Sequence, residues 1–210
     1  IPDGLWKYKC YENTFVMGGS LTEGGNNLLW LSKIFDLDFN NDKHIPELIK
    51  NYVPGKHGLS VLPFISGERA PGWNPRATGS IFGINYATNK YDILISTLES
   101  ICYRLLYVKN KINEINQNYD FIISGGVIDL IPDYPQMLAD VLGKKIIIKD
   151  LKEATLKGGA ILALRTLGYW GSFKDKDSKI IKILEPNLNK NKQHKKLFDE
   201  HDNFYNKTIV

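Results

Sequence analysis

Cysteine is nearly missing. The chain has two in 210 residues, Cys10 and Cys102, and neither sits in a CxxC or metal-ligand spacing. That excludes a disulfide scaffold and a zinc-finger set, and both are expected as reduced, buried thiols. Histidine is also scarce: His44, His57, His194 and His201 are scattered and form no ligand cluster. The phosphate-loop pattern GxxxxGK[ST], the dinucleotide pattern GxGxxG and the nucleophile elbow GxSxG are all absent, which argues against those chemistries. No apolar run approaches membrane-spanning length and no signal peptide is visible. The expectation is a cytoplasmic protein with no membrane partner. Without a secretion signal, the sequon Asn206-Lys207-Thr208 is read as chance.

Charge is modest as well. A net +4 suits an anionic ligand without calling for nucleic acid. The run Lys190, Lys192, Lys195 and Lys196 is read as a solvated helix face. The chain opens Ile1-Pro2-Asp3-Gly4 rather than with methionine, so it is expected to be a piece of something longer. With 43% hydrophobic residues it can build a core, and neither repeats nor a long linker divide it. One domain over 1–210 is expected.

Trp6 to Cys10 and Thr14 to Gly18 read as strands joined by a turn at Glu12-Asn13. Gly24-Gly25 precedes the apolar-periodic Leu28, Leu29, Leu31 and Ile34, so a glycine turn opens a helix there. A second helix is expected over Ile45 to Tyr52, with strands at Leu59 to Phe64 and Gly79 to Asn85. Leu94, Leu98, Ile101, Leu105, Val108, Ile112 and Ile115 recur at steps of four and three. They predict one long amphipathic packing helix from about Tyr91 to Ile115. Then "YDFIISGG" is a buried-type strand, and "DYPQMLADVLG" is a helix closed by Gly143. "KKIIIKD" is a strand, and "EATLKGGAILALRTLG" is a helix closed by Gly168. This alternation predicts an α/β layer architecture. The lysine-rich tail from Phe173 is expected to end in a helix docking Leu197, Phe198, Phe204 and Tyr205.

Glycine turns are where chemistry could sit. A glycine at a strand-to-helix turn lets a ligand approach the backbone and leaves free N–H groups facing an anion. Gly125-Gly126 follows a strand, the place where open α/β sheets bind ligands. Gly24-Gly25 is a second such turn, although a tight turn with no ligand is the favoured explanation of any one pair taken alone. Gly158-Gly159 lies inside a helical pattern, where close helix packing is the expected reason. One costly loop remains: "PFISGERAPGWNPRATGSIFG", from Pro63 to Gly83, rich in proline and glycine and carrying Phe64, Trp73 and Phe82. Its Glu68 and Arg69 either anchor it or reach a partner domain.

Three segments together resemble the C-terminal domain of the FGGY family of carbohydrate kinases, over about Ile1 to Gly171. "GGSLTEGGNNLLWL" is similar to the family's helix entry. "GERAPGWNPRATGSIFGI" followed by "DILISTLESI" is similar to its second signature, filled by Gly79, Ile81, Gly83, Ile84, Asp92, Ile93, Ser96, Leu98 and Glu99. "SGGVIDLIPDYPQMLADVLGKKIIIKDLKEATLKGGAILA" is similar to its adenine-side turn, helix and strand, with Val127 where many members have a third glycine. "GERAPGW" looks most like gluconate kinases, with xylulose kinases next.

The resemblance implies a ribonuclease-H-like, actin-type ATPase fold, a mixed sheet flanked by helices, forming the second of two lobes. It implies ATP with Mg2+ and a sugar or sugar-acid substrate. A partner N-terminal lobe would supply the catalytic base, so the isolated chain is expected to be inactive. Gly25 would approach the phosphates. Gly125 and Gly126 would lie against adenine and ribose, with Asp129 the candidate for the adenine edge. The proline-rich loop would be a brace anchored by Phe64, Trp73 and Phe82, presenting Glu68 and Arg69 to the interlobe cleft. A homodimer is compatible with this picture. The contrasting expectation is a non-enzymatic actin-like module that binds nucleotide and signals by closure.

Overall fold

The computed structural model describes residues 1–169 and 178–209; Phe173, where the lysine-rich tail begins, lies outside them. A hairpin comes first. Strand β1 (Trp6–Tyr11) pairs antiparallel with β2 (Thr14–Gly18), from Trp6 opposite Gly18 to Tyr11 opposite Thr14. Helix α1 (Gly25–Phe35) follows, then α2 (His44–Lys50). The short strands β3 (Ser60–Leu62) and β4 (Ser80–Phe82) pair antiparallel and enclose the proline-rich loop between them.

Helix α3 (Lys90–Asn113) is the central post. Its start is fixed by a capping box: the Asn89 side chain accepts from the N–H groups of Tyr91 and Asp92, and Asp92 accepts from the N–H of Asn89. Reciprocal capping satisfies donors that the first helical turn otherwise leaves bare. Leu94 and Leu98 are fully buried, as their spacing predicts.

The third sheet carries the ligand-side geometry. Strand β5 (Phe121–Ile123) leads through α4 (Gly126–Leu130) and α5 (Tyr134–Leu142) to β6 (Ile146–Lys149), which pairs parallel to it. Gly143 closes α5 in the left-handed region, at φ 61°, with its N–H on Ala139 O. Helix α6 (Ala154–Thr166) follows, and β7 (Ile180–Leu184) returns antiparallel against β6 before α7 (Leu188–Thr208). The result is a mixed α/β domain with the core between α3, α5, α1 and α2. No helix among the described residues is long and apolar enough to cross a membrane.

Several expectations are corrected. Strand β7 and the short α4 were not foreseen. Cys102 is buried, but Cys10 is exposed, as are its neighbours Lys7 to Lys9 along the middle of β1. Trp73 is 44% exposed and Phe82 67%, so of the three aromatics only Phe64, at 1%, is a buried anchor. A Cβ on Gly158 or Gly159 would meet nothing within 4 Å, so close helix packing does not explain that pair. Leu197, Phe198, Phe204 and Tyr205 do pack onto the cores through α7, as expected.

Candidate functional site

Parallel strands point their carboxyl ends the same way, so β5 and β6 deliver their following turns to one place. There a cleft of about 730 Å³ opens. One wall is the turn after β5, with Ser124, Gly125, Gly126 and Asp129; the other is the turn after β6, with Asp150, Lys152 and Glu153. This is the crevice at strand ends where open α/β sheets bind ligands.

Gly125 has φ 120° and ψ 164°, a conformation essentially restricted to glycine. It turns the chain at the end of β5 so that α4 starts beside the cleft. A Cβ on Gly125 or Gly126 would meet nothing within 4 Å. The glycines are therefore not there to make room for the protein itself, and the open space lies on the cleft side. Asp129 is exposed on the same wall. On the far wall, Glu153 adopts a left-handed conformation (φ 49°) as the cap of α6, and its carbonyl accepts from Lys157 N. The first N–H groups of a helix have no intrahelical acceptor. The cleft thus offers main-chain donors from α6, carboxylates from Asp129, Asp150 and Glu153, and the cation of Lys152.

Gly25 stands apart from that lining. It is the first residue of α1, and a Cβ there would lie 3.9 Å from Val127 Cγ2. The β2–α1 turn and the β5–α4 turn are thus neighbours across Val127. Of the sequence candidates, Gly125, Gly126 and Asp129 share the cleft, and Gly25 adjoins it. No group of three or more metal-ligating side chains occurs among the described residues. The cleft has the means to hold a ligand of hydroxyl, amine and anionic groups.

The brace loop behaves differently from its expectation. Glu68 does not face a cleft: it is 3% exposed and bonded to Arg104 and Tyr205. Arg104 is 1% exposed, also donates to Ala70 O at 3.1 Å, and lies over the Phe64 ring at 4.9 Å. Arg69 is exposed and stacks on Trp73 at 5.6 Å. Of the two alternatives, anchoring therefore holds for Glu68.

Sequence reasoning missed two other buried polar chains. His57 Nδ1 accepts from Leu59 N, so its proton is on Nε2, which donates to Glu99 at 2.9 Å. Glu99 also accepts from Gly55 N, fixing the turn before β3. Tyr52 donates to Asp140 at 2.9 Å and contacts His194 Nε2 at 3.2 Å, while Tyr103 OH meets His194 Nδ1 at 3.0 Å. With the Tyr52 proton on Asp140, His194 is the Nε2–H tautomer and accepts from Tyr103. Burial pushes its pKa down. The one available signal was polar residues, Glu99, Tyr103 and Arg104, in phase with a deeply apolar helix.

A family model described as the C-terminal domain of the FGGY family of carbohydrate kinases matches residues 4–167. A glycerol kinase of Pasteurella multocida is 32% identical over 161 residues, covering 76% of this chain and 32% of the relative. A gluconokinase of Bacillus licheniformis is 28% identical over 179 residues, covering 80% of this chain and 35% of the relative. The chain thus spans about a third of the length of these relatives. The crystal structure of gluconate kinase from Lactobacillus acidophilus superposes with a TM-score of 0.82 at 20% identity, over 97% of this chain and 42% of that one. Plasmodium falciparum glycerol kinase with ADP gives 0.79 at 23% identity, over 99% of this chain and 42% of that one. At these identities the structural likeness concerns the fold.

Proposed function

The chain belongs to the FGGY family of carbohydrate kinases, and we propose that it is the nucleotide-binding lobe of an enzyme phosphorylating a small polyol, sugar or sugar acid. ATP supplies the phosphoryl group. In this reading Gly125 and Gly126 let adenine and ribose lie against bare main chain. Asp129 accepts hydrogen bonds from the nucleoside. Gly25, opening α1 beside Val127, takes the phosphate side, where a helix N-terminus favours negative charge. The observation that carries the reading is the open glycine turn at the carboxyl end of β5, facing the cleft it shares with the β6 turn.

Phosphoryl transfer requires nucleophile, phosphate and metal to be positioned together. We assign the catalytic base to a first lobe. Mg2+ would arrive with the nucleotide and complete its ligands outside this chain. Gluconate is the proposed substrate on the strength of "GERAPGW". Glycerol is the second reading, favoured by the names of most of the sequence relatives.

The test has two arms. ADP titrated into the 210-residue chain and followed by NMR should shift the amides around Gly125 and Asp129 with an affinity of roughly millimolar, near −4 kcal/mol. A coupled kinase assay with gluconate, glycerol and xylulose should give no turnover until a first lobe is added. Turnover by the chain alone would show that the base lies within it. Absence of ADP shifts at the β5 turn would remove the nucleotide site from the cleft.

A further inference from the structure

We infer that Asn27 is a positioning residue for the nucleotide phosphates, because it pins the glycine turn that opens α1 against the proline-rich loop. This builds on the reading that Gly25 takes the phosphate side, and it gives the loop a task in binding as well as in folding.

Helix α1 begins without a side-chain cap. Gly24 stands at the cap position, and the first turn closes with Asn27 N on Gly24 O at 3.1 Å. A capping side chain would accept from the second or third helical N–H, and glycine has more backbone freedom to lose on ordering than any other residue. Two adjacent glycines therefore do not hold this turn still by themselves.

The restraint comes from another segment. Asn27 is 3% exposed, and its Nδ2 donates to Pro63 O at 2.8 Å. A carbonyl only accepts, so the orientation of the amide is fixed. Pro63 directly follows β3, and its ring locks φ, which makes its carbonyl a stiff anchor. Ala70 N donates to Ser20 O at 3.0 Å, and Thr22 Oγ1 lies 3.4 Å from Gly67 O. The turn is thus tied to the loop on both sides of its glycines.

Glu23 is handled in the same way. A carboxylate beside Gly24 would repel phosphate if it faced the nucleotide. It is instead 1% exposed, accepts from Thr22 N at 2.6 Å, and has Oε1 3.9 Å from Arg104 Nε. Arg104 also binds Glu68 of the loop. The first N–H groups of α1 have no intrahelical acceptor, and hydrogen bonds weaken steeply when misaligned. A phosphate gains most from these donors when the turn is already held in place. Across Val127, 3.9 Å from where a Gly25 Cβ would lie, is the β5 turn that takes the nucleoside.

The test compares ADP with adenosine, which lacks the phosphates, by NMR titration of the 210-residue chain. The wild-type chain should prefer ADP about fivefold, the upper end of what an exposed helix N-terminus gives an anion. The amides of Gly25 and Asn26 should move for ADP and not for adenosine. Asn27→Leu keeps the branching at Cγ and removes the donor. It should bring the ratio close to one while adenosine affinity stays unchanged. Asn27→Ala carries the comparison if the leucine variant fails to fold. A residue that only supported the fold would weaken both ligands alike, or neither. A wild-type ratio retained in the variants, or an equal loss of both ligands, overturns the positioning role alone. A wild-type chain with no preference for ADP overturns the phosphate reading of Gly25, and the role of Asn27 falls with it.

Discussion

The hydroxyl of Tyr205 lies 3.0 and 2.8 Å from the two carboxylate oxygens of Glu68, although 137 positions separate the residues. Arg104 binds the same carboxylate from α3. The loop, the central helix and the last helix are thus joined at one buried ion pair. Removing the Glu68 charge leaves the buried Arg104 guanidinium with only the Glu23 carboxylate, whose Oε1 is 3.9 Å from Arg104 Nε, to compensate it. Glu68→Gln should therefore cost about 3 kcal/mol in urea unfolding, the lower end for breaking a buried pair. Tyr205→Phe removes one hydrogen bond and should cost about 1 kcal/mol. If Glu68→Gln cost no more than Tyr205→Phe, the carboxylate charge would not be what holds the loop.

The two aromatics of the brace should separate clearly. Phe64 is buried under Arg104, so Phe64→Ala should cost about 3–5 kcal/mol. Trp73 is nearly half exposed and holds on by one bond, Nε1 to Gly4 O at 2.7 Å, and its stacking with Arg69. Trp73→Ala should cost roughly 1 kcal/mol. Thermal melts of both variants check this, and equal shifts would mean that Trp73 is packed as tightly as Phe64.

Acid should weaken the fold through its buried imidazoles. Burial, with the nearby Arg104 charge, pushes His201 down to about 3, and burial lowers His194. Both ionise more easily in the unfolded chain, where histidine titrates near 6.5. Their contribution is fully present above about pH 6.5 and is lost as pH falls toward about 3, because the unfolded state binds protons first. Urea midpoints should fall between pH 7 and pH 5, and less so in His201→Gln. An identical slope in that variant would place the effect on other groups.

The adjacent glycines of the cleft should fail in different ways. Gly126 has an ordinary backbone and open space, so Gly126→Val should leave the fold intact. ADP affinity should fall about tenfold, or about 1.4 kcal/mol. Gly125 holds a conformation that a side chain resists, so Gly125→Ala should destabilise the fold itself by about 1–3 kcal/mol. Melting curves and ADP titration on both proteins read the two effects. Unchanged affinity in Gly126→Val would remove Gly126 from the site.

The local elements were largely legible in the sequence. The steps of four and three from Leu94 to Val108 fixed α3, and Gly143 and the run Ile146-Ile147-Ile148 gave the end of α5 and the course of β6. Strand β7 was not legible. Its Ile180 to Leu184 run sits in a lysine-rich stretch, and it becomes a strand by pairing with β6, more than thirty positions away. The exposure of Trp73 was hidden for a similar reason: neighbouring prolines and glycines show that a loop is structured, not which side of it faces in.

What the sequence determined by itself was therefore periodicity, caps and turns, since each depends on interactions within a few residues. It also placed Gly125-Gly126 after a strand, which was enough to nominate them. Only the tertiary structure decided that Gly126 and Asp129 share a cleft with the β6 turn while Gly25 stands across Val127. Only it decided that Glu68 turns inward to Arg104 and that His194 links Tyr52 to Tyr103. The reason is physical. A charged or polar side chain is buried only where distant groups pair with it, because an unpaired one costs several kcal/mol, and those partners meet only when the chain has packed.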